Sequence, residues 1–453
     1  MTWSWPSDRR GRVIAVACIA AGALFLAKAL YRGLTFSVGD FYYTFPGGYA
    51  ERLNPTLWHS PDVLGALAYN HGSYFYGPTQ YLALYPIVFL DSYASVATLL
   101  LGVYAFVLVA AWYVLTALLT AGEPRRAVVP AVMFGVVFAF LPLTQALIQR
   151  EFEVVAWLLL VAACFFWATG REGAAGAAVA CLTWFKYWPI ALVSAFVLHR
   201  RPRALVGFAL ASAMLLGAAH MAFGLQNFRI DATASIVGRL LRPLGGGEVL
   251  YPVIPRGALK SDFCRQWIGG RGTQADVRWA LCGVEDRLPF LSARVLFFTL
   301  VLATGAAFLW AVYRFERRTP SASSRKWVSV WEFSLLVIAG VSFVHAHYYY
   351  LIVFLLPLTA LLYWYLTRPQ PWRPLKLVLW SASYLSLTAF LVPTSWVSRL
   401  IGRDAWALYL ESGICLFGTV LLLALVGHEL LMAASRLDEP VHPMTLLAPE
   451  TAA

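Results

Sequence analysis

The sequence predicts an all-α, polytopic membrane protein: about 10 full spans plus a re-entrant half-helix pair, with two large external loops. Three observations lead there. Of 453 residues, 60% are hydrophobic and only 13% charged, where a soluble chain is about 45–50% apolar and about 25% charged. Mean hydropathy is +0.67. The 35 Lys and Arg residues fall in small groups between long apolar runs. Nucleic-acid binders cluster such residues on one face of a domain, so the net charge of +12 does not imply a nucleic-acid partner; the partner it implies is the bilayer.

Arg9, Arg10 and Arg12 precede an apolar stretch at 13–30, and Lys28 and Arg32 close it. A cleavable signal peptide wants a shorter apolar core and a small-x-small cleavage site, so this stretch reads as a retained anchor. Further spans fall near 93–119, 128–148, 153–169, 204–224, 292–313, 329–344, 348–366, 376–393 and 406–431. The stretch 174–198 is interrupted in its middle by Lys186 and Pro189. Basic groups occur at 9–12, 125–126, 171, 200–203, 314–326, 368–376 and 436. A single crossing at 174–198 would scatter these groups over both sides of the membrane. Two half-helices that enter and return put all of them in the cytoplasm, as the positive-inside rule requires. Both termini are then cytoplasmic, in the inner membrane, and residues 184–189 form a re-entrant tip. Irregular backbone at such depth is tolerated where it is buried in protein or lines a wet cavity, so the tip is expected at a site. Residues 1–432 make one integral membrane domain with external loops 31–92 and 225–291. The tail 433–453 reads as disordered and cytoplasmic. A short apolar run near 79–90 is expected to lie along the membrane surface.

The candidate chemistry is on the external side. Asp40, in Asp40-Phe41-Tyr42-Tyr43 just beyond the first span, is placed to act as a general base towards a hydroxyl; a helix cap or an arginine-paired loop carboxylate is the competing reading. Tyr42, Tyr43 and Tyr76, the last in Phe75-Tyr76-Gly77-Pro78, offer flat apolar faces to a sugar or isoprenoid, or else anchor at the interface. Lys186 is an intramembrane cation, a functional candidate by default, able to meet a lipid phosphate or to snorkel. His345 and His347, in a turn followed by Tyr348, can contact a phosphate. No third ligand stands at a zinc-binding spacing, so neither metal nor cofactor is expected. Cys264 and Cys282 flank seventeen residues of external loop in an oxidising compartment, and either pair as a disulfide or stay as thiols. Glu151, Glu153, Glu332, Glu411 and Glu429 all read as lying near span ends. Without carboxylates at mid-depth or a second broken helix, a proton-coupled transporter is the weaker reading.

These residues together resemble the polytopic glycosyltransferases of the GT-C superfamily. They are most similar to the polyprenyl-phosphate-mannose-dependent α-1,2-mannosyltransferase-like family, GT87. The resemblance rests on Asp40-Phe41-Tyr42-Tyr43, Phe75-Tyr76-Gly77-Pro78, the Gly-rich helix from Gly176 to Lys186-Tyr187-Trp188-Pro189, the basic turn 199–203, and His347-Tyr348 through Pro357. It spans roughly residues 13 to 360. Two departures stand beside it. Where the family carries Gly-Gln-x-Asn after the third span, this chain reads Ile148-Gln149-Arg150-Glu151. The late motif also lacks the Ser-Pro and Trp before the histidine, so His345 and His347 both remain candidates. The resemblance implies a GT-C-type bundle and inverting transfer of a sugar, mannose first. The donor would be a polyprenyl-phosphate sugar and the acceptor a glycan or glycolipid at the outer face of the membrane. Asp40 would be the base, with Lys186 and the histidine turn at the donor phosphate. A lipid or solute transporter and a non-catalytic scaffold derived from such an enzyme stay open as alternatives.

Overall fold

The computed structural model describes residues 8–35, 93–121, 128–149, 153–186, 188–223, 288–317, 322–343, 348–369, 371–389 and 414–435, with a few isolated positions including Thr79, Cys282 and Glu285. Among these the chain is helical, with no strand. The helices are α1 (Arg9–Thr35), α2 (Tyr93–Thr120), α3 (Val128–Phe138), α4 (Leu141–Gln149), α5 (Glu153–Ala168), α6 (Glu172–Thr183), α7 (Val193–Leu198), α8 (Pro202–Phe223), α9 (Ala293–Glu316), α10 (Ala322–Phe343), α11 (Leu355–Thr367), α12 (Arg373–Ala389) and α13 (Ile414–Ser435). Short 3-10 turns, Trp188–Leu192 and Tyr348–Phe354, lead into α7 and α11.

Among the described residues, seven helices are long and apolar enough to cross a bilayer, eight if the bent pair α3–α4 counts as one crossing. The other two expected spans are shorter. Helix α5 has 16 residues and α12 has 17, against about 20 for a bilayer core. The expected span 128–148 is bent by 53° between α3 and α4. Pro142 is the cause: its ring clashes with the carbonyl four residues back, that of Phe138, and it has no N–H to give. Helix α3 ends at that residue.

Helices α10 and α11 form the centre, with 89% of each apolar window buried, whereas α8 has 11%. Val206, Leu210, Met214 and Met221 lie exposed along α8. Their spacing of one or two turns makes an apolar stripe, suited to hydrocarbon rather than water.

The stretch 172–198 enters and leaves at one end of the bundle. Glu172, the first residue of α6, takes a hydrogen bond from the Arg201 guanidinium at 3.3 Å, beside the start of α8. Helix α6 therefore climbs from this end to Thr183. The chain breaks over Trp184–Lys186 and returns through the 3-10 turn and α7 to the same end. Other basic segments meet there. Lys326 donates to the carbonyls of Leu119 and Ala121, at the end of α2, at 3.1 and 2.7 Å. The Arg368 guanidinium, past the end of α11, lies 5.6 Å from the centre of the Trp327 ring on α10, next to Lys326.

Two expectations about charge are corrected here. Helix α10 begins at Ala322, not near 329, because Ser323, Ser324, Arg325 and Lys326 continue the helix into the basic end. Glu332 therefore sits at the middle of α10, not at a span end. It is also buried, as are Glu153 and Glu429, and each has a cationic or imidazole partner.

Candidate functional site

The hairpin tip is made by its sequence. Pro189 has no N–H to give and its ring clashes with the carbonyl four residues back, that of Phe185, so α6 cannot run on through it. Helix α6 closes with Trp184 N–H to the Ala180 carbonyl and Lys186 N–H to the Leu182 carbonyl, each at 2.9 Å. The return leg is seated against α10 at Gly340. A methyl there would stand 2.9 Å from the Trp188 carbonyl oxygen.

Lys186, at this tip, is 3% exposed. Its Nζ lies 2.8 Å from Glu153 Oε1, donates to the Tyr350 hydroxyl at 3.3 Å, and sits 4.7 Å from the centre of that ring. Glu153 opens α5, where the positive end of the helix dipole favours a carboxylate. The Thr79 N–H donates to the Trp184 carbonyl at 3.4 Å. Three separate stretches thus meet at the tip: the residue after Pro78, Lys186 itself, and Tyr350, three positions beyond His347. Buried polar groups nearly always find partners. Around this tip, however, Thr79 Oγ1, Trp157 Nε1, Thr183 Oγ1, Trp184 Nε1 and Glu153 Oε2 are buried and unpartnered among the described residues. Hydroxyl and indole donors beside an ammonium–carboxylate pair are a chemistry suited to an anionic, hydroxylated ligand.

Among the expected catalytic, phosphate-binding and groove residues, Lys186 is the one whose side-chain contacts are described. Asp40, Tyr42, Tyr43, Tyr76, His345, His347 and Cys264 lie outside the described residues. Tyr348 opens a 3-10 turn, its side chain being outside them too. Cys282 is buried and disulfide-bonded, while Cys18, Cys164, Cys181 and Cys415 are free thiols. Just beyond Cys282, the Glu285 carboxylate accepts from the Ala293 N–H at the start of α9 at 2.6 Å. Glu153 and Tyr350 were missed. The available signal was a carboxylate at the very start of an apolar run, in a chain whose hairpin carries a single intramembrane lysine.

At the opposite end, His199 in the turn after α7 is also buried. Its Nδ1 lies 2.7 Å from Glu316 Oε1 and its Nε2 3.0 Å from Glu332 Oε1. With a carboxylate on each nitrogen, the ring satisfies both only as imidazolium. Burial opposes that charge, but Glu332 and then Glu316 outweigh it and raise the pKa above the ordinary 6.5. A raised folded-state pKa adds stability that is full below 6.5 and lost as pH rises through the raised value. Thermal unfolding of wild type and His199→Gln should therefore differ most near pH 6 and converge towards pH 9. A difference that is constant with pH would mean that the ring is neutral.

Residues 74–282 match the family model for glycosyltransferase family 87. Over this segment, a little under half of its length, the chain is similar to glycosyltransferase family 87. The match runs from the Tyr74 aromatic run through the Lys186 hairpin to the bonded Cys282, so it covers two of the three stretches that meet at the tip. No curated protein and no solved structure matches the chain. The family 87 match together with the apolar helices supports a membrane glycosyltransferase. Beside that match, the buried Lys186–Glu153–Tyr350 cluster is the described group most suited to a charged substrate.

Proposed function

We propose that the protein transfers a sugar, mannose first, from a polyprenyl-phosphate donor to a glycan or glycolipid acceptor. The reaction takes place with inversion at the outer face of the cytoplasmic membrane. The observation that carries this reading is the convergence at the hairpin tip: an ammonium buried among apolar helices, next to the chain that follows Tyr76-Gly77-Pro78 and to the turn that follows His347. The prenyl chain lies against the apolar helices, and the phosphate meets Lys186 and the histidine turn. Asp40 follows the end of α1 by five residues, and Gly33 near that end lies beside the Leu147 carbonyl, shortly before Glu153. Asp40 removes the proton of the acceptor hydroxyl as the oxygen attacks C1 in line with the departing phosphate. The positive groups stabilise charge as it develops on the leaving oxygen. Because they act on the phosphate directly, the reaction as written needs no metal.

The test uses the full-length protein in nanodiscs with a panel of polyprenyl-phosphate sugars and nucleotide sugars. Polyprenyl-phosphate-mannose is expected to raise the unfolding temperature and to support transfer to a glycan acceptor. Protection by nucleotide sugars alone, or counterflow of labelled substrate without transfer, would overturn the donor assignment.

A further inference from the structure

The proposed reaction leaves Lys186 with a release problem, because it changes the charge on the phosphate. The donor is a phosphodiester with one negative charge. In transfer, the bond from C1 to the phosphate oxygen breaks and its electron pair stays on the phosphate. A bond from the acceptor oxygen to C1 forms, and the acceptor proton goes to Asp40. The product, polyprenyl phosphate, is a monoester with roughly −1.5 to −2 charges near pH 7. A lysine that helps the developing charge therefore grips the product more tightly than the donor.

Glu153 has the geometry of a competitor for that lysine. The pair is in contact at 2.8 Å, with side chains only 4% and 2% exposed. A buried ion pair repays its desolvation only when its remaining lone pairs are also satisfied. Glu429 meets that condition within the same bundle. Its Oε1 accepts from Lys376 at 2.6 Å and its Oε2 from the Trp364 indole at 2.9 Å. Glu153 does not, for its Oε2 has no partner among the described residues. The carboxylate is on a shorter side chain at the first residue of a regular helix, α5, while Lys186 is a long side chain on an irregular turn. Of the two, the ammonium is the group that can move.

We propose that Glu153 is a positioning residue that holds the Lys186 ammonium between turnovers. It yields the ammonium to the donor phosphate and draws it back as polyprenyl phosphate departs. The inference rests on the polyprenyl-phosphate donor proposed above. Its probe is polyprenyl phosphate without a sugar, titrated onto the full-length protein in nanodiscs and read by tryptophan fluorescence, with steady-state and single-turnover transfer measured alongside. Glu153→Gln is expected to bind the probe about tenfold more tightly. Its kcat and KM should both fall, while the single-turnover rate is kept. Glu153→Asp retains the charge one methylene further from Lys186 and should shift the same way by a smaller factor. That variant decides the matter should Glu153→Gln fail to fold. A wild type that binds no probe overturns the donor assignment, and the inference with it. A wild type that binds the probe, while folded variants bind it no more tightly, overturns the inference alone. A structural salt bridge predicts that second result, with kcat lowered and KM unchanged or raised.

Discussion

Asp40→Asn is expected to lower glycosyl transfer by about 10³-fold, within the 10²–10⁴-fold range of a lost general base, and to leave donor binding nearly unchanged. Asparagine has the shape of aspartate but cannot take a proton from the attacking hydroxyl. The loss should therefore fall on kcat, with KM within about twofold, since the group acts in the transition state rather than on the bound donor. The donor phosphate contacts proposed at Lys186 are separate from the base, so thermal protection by polyprenyl-phosphate-mannose should survive the substitution. Transfer at the wild-type rate by a folded Asp40→Asn protein would assign the base elsewhere. Loss of protection together with loss of rate would instead make Asp40 part of the donor site.

Much of the architecture was legible because it depends on local composition. A run of apolar residues long enough for a bilayer announces a helix, and the grouped arginines announce which ends belong together. The hairpin illustrates this. Lys186 and Pro189 marked the break, the positive-inside rule required both legs to share one end, and the Glu172–Arg201 contact joins those ends. What was not legible depends on partners distant in the chain. Glu153 at the start of a span resembles an ordinary interfacial residue until α6 brings Lys186 to it from 33 positions away. His199 stands in the basic run His199-Arg200-Arg201-Pro202-Arg203 and reads as solvated, yet it is buried between carboxylates from α9 and α10. The start of α10 was missed for a different reason. A hydropathy window sees Arg325 and Lys326 as the end of apolar sequence, but neither residue breaks a helix.

Gly176→Ala is expected to destabilise the protein by about 1–3 kcal/mol, the usual cost of forcing volume into a packed contact, and to reduce activity far from the site of substitution. Helices α6 and α8 cross with their backbones in contact. A methyl at Gly176 would stand 2.8 Å from the Ala204 carbonyl carbon and 2.9 Å from the Phe208 nitrogen. Both are backbone atoms that no side-chain rotation can move aside, so the helices must separate. Gly207→Ala meets the same interface from the other helix, 2.9 Å from the Gly173 carbonyl carbon. Gly217→Ala, further along α8, meets nothing within 4 Å and should be neutral or slightly stabilising, since alanine is the better helix former. Thermal unfolding of the three variants separates close packing from glycine's intrinsic helix cost: if all three shift alike, the interface is not the cause. Once one methyl has parted the helices the second costs less, so the Gly176→Ala/Gly207→Ala pair should lose less than the sum of the single variants. The functional consequence follows from the hairpin. Lys186 lies three residues beyond the end of α6, and its contacts at 2.8 Å with Glu153 and 3.3 Å with Tyr350 do not tolerate the displacement of that helix. A misplacement of about 1 Å in a positioned group can cost on the order of 10² in rate, so Gly176→Ala should lose more activity than its modest loss of stability would suggest.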